Sequence, residues 1–348
     1  MGKITPLLVV VGIAAVIGII LKNVINKLPT IKVGYFPEFI AISGKYAYVA
    51  NRNASVSVID TSTNTVIKTI PVGNGPSFIA IFENYAYVAN SDDNTVNVID
   101  TTTNIVIKTI PVGNGPSFIA ISGKSVYVAN SKDGTVTVID KKTNTFIKTI
   151  PVGAGPTFIA ISEKYAYVAS LGGTVSVIDT TTNIVIKTIP VGNGPSFIAI
   201  FENYAYVANS GDVITNGTVS VIDTTTNTVI KTIPVGNGPS FIAIFENYAY
   251  VANSDDNTVS VIDTKTNTII KTIKVGSSPI SIAISGNYAY VANSWDGTVS
   301  VIDTTTNTII KTINVGKFPA YIAISGNNAY VANRTDATIS VIDISGYK

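Results

Sequence analysis

From residue 28 to the end of the chain, short apolar runs alternate with clusters of Gly, Asn, Asp, Ser and Thr. Nowhere in that stretch do apolar residues recur at the three-to-four spacing of an amphipathic helix. In a representative segment the runs read SFIAIF (77–82), YAYVAN (85–90), TVNVID (95–100) and IVIKTIPV (105–112). Val, Ile and Tyr dominate them, which suits pleated strands, and each break holds residues that turns require. VGNGP precedes the first strand, Glu-Asn separates the first from the second, SDDN the second from the third, and TTTN the third from the fourth. We name the four strands a to d. Many are apolar on both faces, so the sheets are expected to be covered on both sides.

The four-strand unit recurs. Val-Gly dipeptides begin at Val33, Val72, Val112, Val152, Val191, Val235, Val275 and Val315, spaced 39, 40, 40, 39, 44, 40 and 40 residues apart. A period near 40 holding four short strands predicts the blades of a β-propeller, which pack face to face around a channel and bury one another's sheets. The predicted fold is therefore all-β: an eight-bladed β-propeller of four-stranded antiparallel blades over residues 28–348. The last copy stops after strand c, while LPTIKV (28–33) matches IKTIKV (270–275), so the N-terminal strand is expected to close blade eight. Seven d strands carry Lys at one position (Lys68, Lys108, Lys148, Lys187, Lys231, Lys271, Lys311) and the closing strand has Pro29 there. On an outer edge both residues oppose the addition of a strand from another chain.

Residues 1–27 are of another kind. The run 4–21, ITPLLVVVGIAAVIGIIL, is uncharged and lies between Lys3 and the pair Lys22 and Lys27. As a helix it would span about 27 Å, close to the thickness of a bilayer core, and it lacks an A-x-A cleavage site. We read it as an uncleaved N-terminal transmembrane helix; a cleaved signal segment and a buried helix are the alternatives. The flanking charges balance and leave the orientation open.

Composition narrows the chemistry. The chain has 348 residues, 46% apolar and only 13% charged, with no His and no Cys. That removes Ser-His and Cys-His nucleophiles, zinc or haem ligation by His or Cys, and any disulfide. No cofactor is expected, and no enzyme. Beyond residue 27 there are 20 basic and 21 acidic groups, so no basic field is present to hold nucleic acid.

The units G-x-x-P-x-x-I-A-I, Y-V-A-N and V-S-V-I-D-T-x-T-N-x-I-x-x-T-I-x-V resemble the YVTN-family β-propeller repeat of archaeal surface-layer and related bacterial proteins, with Y-V-A-N, or Y-V-A-S in blade four, in place of Y-V-T-N. The resemblance covers residues 28–348 and implies a propeller displayed at a cell surface. Propeller lyases and quinoprotein dehydrogenase subunits are also similar, but they depend on His, Cys or metal ligands missing here, so their activities are not implied.

An Asp ends strand c in every copy (Asp60, Asp100, Asp140, Asp179, Asp223, Asp263, Asp303, Asp343), as expected of a turn-forming carboxylate. The acidic turns Asp92-Asp93-Asn94 and Asp255-Asp256-Asn257 offer too few ligands for a calcium cage. Three N-x-S/T sequons, at Asn53, Asn216 and Asn333, all fall in expected b–c loops and mark one face for glycosylation. The unusual residues cluster in blades seven, eight and one: both arginines (Arg52, Arg334), the single Trp (Trp295), and d–a turns reading Tyr35-Phe36-Pro37 and Lys317-Phe318-Pro319. Aromatic and Arg side chains on turns are what binding hot spots favour, while capping of the seam between the chain ends is the structural alternative. The expectation is a membrane-anchored, extracellular propeller on a cell or viral envelope that meets a protein or glycan partner through this face. A small ligand or carbohydrate held in the channel is the alternative function.

Overall fold

The computed structural model describes residues 28–211 and 216–347. Eight four-stranded antiparallel sheets form, seven of them from strands consecutive in the chain, such as Pro37–Ser43, Tyr46–Asn51, Ser55–Asp60 and Thr65–Pro71. The eighth is built from both ends: Thr30–Lys32 pairs with Thr338–Asp343, placing Thr30 opposite Ser340 and Lys32 opposite Thr338. In the second copy the expected strands agree with Pro76–Phe82, Tyr85–Asn90, Thr95–Asp100 and Ile105–Pro111. The expected helix at 4–21 lies outside the described residues. Among the described residues no helix is long and apolar enough to cross a membrane.

The hydrophobic core lies between the blades. One cluster joins Tyr48, Ala50, Val56, Val58 and Ile70 of blade one to Ile79, Ala86, Val88 and Ile99 of blade two. The same arrangement closes the ring, where Tyr330, Ala332 and Ile339 of blade eight meet Ile40, Ala47 and Val49 of blade one. Strands b and c are buried on both faces, which is why their alternation of apolar and polar positions is weak in sequence.

A polar latch accompanies seven of the eight apolar joints. Tyr87 is fully buried, and its hydroxyl donates to Asn144 Oδ1 at 2.7 Å in the c–d turn of the next blade. Tyr48–Asn104, Tyr127–Asn183, Tyr167–Asn227, Tyr206–Asn267, Tyr250–Asn307 and Tyr330–Asn64 repeat the bond at 2.6–2.9 Å. Each of these Asn residues is left-handed, with φ between 53° and 56°. Asn tolerates that conformation and also carries the acceptor, which explains why it ends the T-N turn. Tyr290 lacks the latch, because blade eight has no c–d turn; its buried hydroxyl is unpartnered and its ring meets Tyr347 edge-on.

The d-strand lysines do more than guard an edge. Lys68, Lys108, Lys187 and Lys231 each donate from Nζ to a Thr carbonyl in the next blade's c–d turn, at 3.2–3.3 Å. The glycine of Val-Gly is dictated by close approach: a Cβ on Gly73 would lie 2.8 Å from Asn90 Nδ2.

Candidate functional site

The d–a and b–c loops form one continuous face. Within blade two, Ser91 N donates to Gly75 O at 2.9 Å, and between blades Gly115 N donates to Asn94 Oδ1 at 2.9 Å. In blades two to six the d–a turn places a glycine in the left-handed region (Gly75, Gly115, Gly155, Gly194, Gly238; φ 62–68°). In blades one, seven and eight the same position holds Phe36, Ser278 and Phe318, with φ of 53°, 55° and 52°. A bulky L-residue held there costs about 1–2 kcal/mol. Two of those strained turns display aromatic rings to solvent, with Tyr35 66% exposed, Phe36 53% and Phe318 43%, and the b–c loop of blade seven adds Trp295 at 76%.

The structure brings some of the expected site residues together. Trp295 and Phe318 make an edge contact across blades seven and eight, with centroids 6.3 Å apart. Arg334 joins blade eight to blade one, its Nε donating to Glu38 Oε2 at 2.8 Å and its Nη2 2.5 Å from the same oxygen. This ion pair sits where an interblade bond found elsewhere is interrupted. Ser77, Ser117, Thr157, Ser196 and Ser240 donate to the following blade's Pro carbonyl at 2.8–3.2 Å, whereas Ile280, Ala320 and Glu38 at the equivalent positions do not. Arg334 is thus a seam residue as well as a surface one. Arg52 reaches Asp92 more loosely, at 3.7 Å, with both side chains about half exposed. Lys317 is exposed, and its backbone amide donates to Asp336 Oδ2 at 2.8 Å.

Of the three sequons, Asn53 and Asn216 are exposed. Asn333 is not in a loop as expected: it ends strand b and is fully buried. Its Nδ2 donates to Thr338 Oγ1 and Ser340 Oγ at 3.1 and 2.9 Å, and its Oδ1 accepts from Gly316 N, so the folded blade leaves no room for a glycan there. The strand-c carboxylates act as turn formers. Asp100 Oδ1 accepts from Thr102 N at 2.7 Å and Thr102 Oγ1 at 2.6 Å, bonds that hold its pKa below the usual carboxylate value. In the acidic turns, Asp93 and Asp256 bind the backbone of Asn74 and Asn237. Among the described residues no three acidic groups converge as a metal site.

Strand a forms the innermost layer, each touching strand a of the next blade. The channel contains an aromatic ring that reading the positions just after the turn Pro did not reveal. Phe39, Phe78, Phe118, Phe158, Phe197 and Phe241 stack in succession with centroids 3.9–4.2 Å apart, and Tyr321 meets Phe39 at 4.1 Å. Ser281 of blade seven leaves a gap, across which Phe241 and Tyr321 are 6.4 Å apart. The signal was present one residue further on, as an aromatic at one register position in seven of eight copies. A cavity of about 480 Å³ is lined by Phe39, Tyr321 and Ile and Ala residues of the a strands. Tyr321 is the lining's one hydroxyl, and its apolar surroundings push its pKa up to about 12.

These features define a β-propeller repeat protein. Family models match it only in parts: the Cytochrome D1 heme domain over residues 207–338, a domain of unknown function (DUF5074) over 21–155, and the LVIVD repeat over 157–181 and 196–214. No curated protein matches the chain. Among solved structures it is similar to the computationally designed Ika8 protein (17% identity, TM-score 0.79, covering 91% of this chain and 100% of that one). It is also similar to BamB from Moraxella catarrhalis (16%, TM-score 0.74, 91% and 99%) and to Kuenenia stuttgartiensis hydrazine synthase (20%, TM-score 0.65, 78% and 96%). At these identities the likeness is one of fold. A haem does not suit the residues present: the chain has no His or Cys, the channel lining offers no cation for propionates, and Tyr321 is held as a neutral phenol.

Proposed function

We propose that this chain is a non-enzymatic surface protein of the YVTN type, anchored in a membrane by residues 4–21 and displaying its propeller outside a cell or virion envelope. It attaches to a protein or glycan partner through the d–a and b–c face of blades seven, eight and one. The observation that carries this reading is the coincidence of strain with exposure. Three turns that glycine serves at no cost elsewhere hold Phe, Phe and Ser, and both Phe rings face solvent. Strain that brings no burial points to a role outside the fold. The closing strand starts from the c–d side of blade eight, so an anchor joined at Leu28 leaves the aromatic face directed away from the membrane.

Attachment of the purified chain to envelopes of its source cells tests the reading. Replacing Trp295, Phe36 and Phe318 together by Ser should abolish attachment without lowering the melting temperature; retained attachment refutes it. A second reading, a small ligand in the channel, is supported by the cavity of about 480 Å³. Its lining suits an apolar molecule better than a carbohydrate.

A further inference from the structure

Between blades six and seven, on the same face, lies a cleft of about 450 Å³ lined by Ser254, Asp255, Asn257, Ser277, Ser278, Trp295 and Asp296. Its chemistry differs from that of its counterparts. In blades two, three and six the loop Asp is held twice by the d–a turn Asn, as in Asn74 N to Asp93 Oδ2 (2.6 Å) and Asn74 Nδ2 to Asp93 Oδ1 (2.9 Å). In blade seven Ser277 replaces that Asn, and only its backbone bond to Asp296 Oδ2 (2.6 Å) is formed. Asp296 Oδ1 therefore keeps its lone pairs for a ligand. Asn257 uses Oδ1 to accept from Ser278 N at 2.8 Å, which leaves its two Nδ2 donors free. Beside these stands the indole of Trp295, 76% exposed and braced at its edge by Phe318.

A flat aromatic ring next to a carboxylate acceptor and an amide donor matches a sugar ring, with an apolar C–H face and adjacent hydroxyls that donate and accept. The carboxylates Asp255 and Asp296, with no cation among the lining residues, oppose an acidic sugar or a phosphate. We propose that this cleft is the glycan subsite of the attachment face and takes one neutral pyranose ring stacked on Trp295, with vicinal hydroxyls on Asp296 and Asn257. The proposal rests on the reading of this face as the attachment surface and names its ligand class.

Trp295 is the only Trp in the chain, so tryptophan emission excited beyond the absorption of the 17 tyrosines reports on this site alone. The full chain is titrated with methyl α-glucopyranoside, methyl α-mannopyranoside, methyl β-galactopyranoside and N-acetylglucosamine. At least one should shift the emission saturably, with a Kd of about 1 mM as expected for a single ring. Asp296→Asn keeps an acceptor for Ser277 N but loses the charge, and should weaken that binding about tenfold at an unchanged melting temperature. Tetramethylammonium is titrated in parallel as a probe for a cation site; a flat response to all four neutral sugars overturns the proposal, whether or not this cation binds. Equal affinity of Asp296→Asn overturns it too. If the triple Ser variant loses envelope attachment while wild type ignores the sugars, the subsite falls and the attachment reading stands. If a bound glycoside also blocks attachment, both stand.

Discussion

The tyrosine latch allows a comparison within one molecule. Tyr87 and Tyr290 occupy equivalent places in blades two and seven, and both are fully buried. The Tyr87 hydroxyl donates to Asn144 Oδ1 at 2.7 Å, whereas the Tyr290 hydroxyl has no partner. Tyr87→Phe removes the donor and strands the Asn144 carbonyl, itself only 6% exposed, which should cost about 1–2 kcal/mol. Tyr290→Phe removes a buried hydroxyl that has lost its water and gained nothing, so its effect should lie between zero and about 1 kcal/mol of stabilisation. At a urea m-value of about 3 kcal/mol per M, the two variants should differ in midpoint by about 0.3–1 M with unchanged m. The assay is parallel urea unfolding of wild type and both variants. Equal destabilisation by the two substitutions would refute the latch and make the tyrosines a matter of ring packing alone.

Stability should change little between pH 5 and 8, since the chain has no His. Hydrogen bonds lower the pKa of Asp60, Asp100, Asp140, Asp179, Asp223, Asp303 and Asp343 in the folded state. The stability they contribute is present above the unfolded pKa near 4 and is lost as pH falls below it. Burial instead raises Tyr48, Tyr87, Tyr250 and Tyr290 to about 12, so a second loss should set in as pH climbs above about 10. Urea midpoints measured from pH 3 to 11 check both edges, and a steep slope between pH 5 and 8 would contradict them. In material from source cells, peptide mass mapping should place any N-glycan on Asn53 or Asn216 and none on Asn333; a modified Asn333 in folded protein would contradict its burial.

What the repeat made legible was everything that all eight copies share. Blade number, strand order, the closing strand at 28–33 and the turn role of the strand-c Asp follow from positions repeated often enough to average out local variation. The errors arose where one residue serves two neighbours. Asn333 reads as a loop sequon when Arg334 and Thr335 are seen beside it, yet it is also the last residue of the Y-V-A-N strand that every blade but the fourth ends in Asn. The edge lysines reach the next blade across about 35 residues of chain, a contact that no local pattern encodes. The channel aromatics are regular in sequence, but whether a strand-a residue faces channel or blade depends on the bulge between Pro76 and Phe78, visible only in the pairing. At the face of blades seven, eight and one, the sequence pointed to unusual residues. Phe36 and Phe318 sit on left-handed backbone at a turn position that blades two to six give to glycine.

The central claim, that those two rings are kept at a cost to the fold for the sake of a partner, is tested most directly by the double substitution Phe36→Gly and Phe318→Gly. Glycine relieves the left-handed strain and loses two half-exposed rings. The measurement is urea stability and envelope attachment on the same preparation. The account predicts a fold unchanged or more stable by up to about 1 kcal/mol per site together with lost attachment. A variant that unfolds more easily and still attaches would contradict it, and would make the rings a cap on the seam.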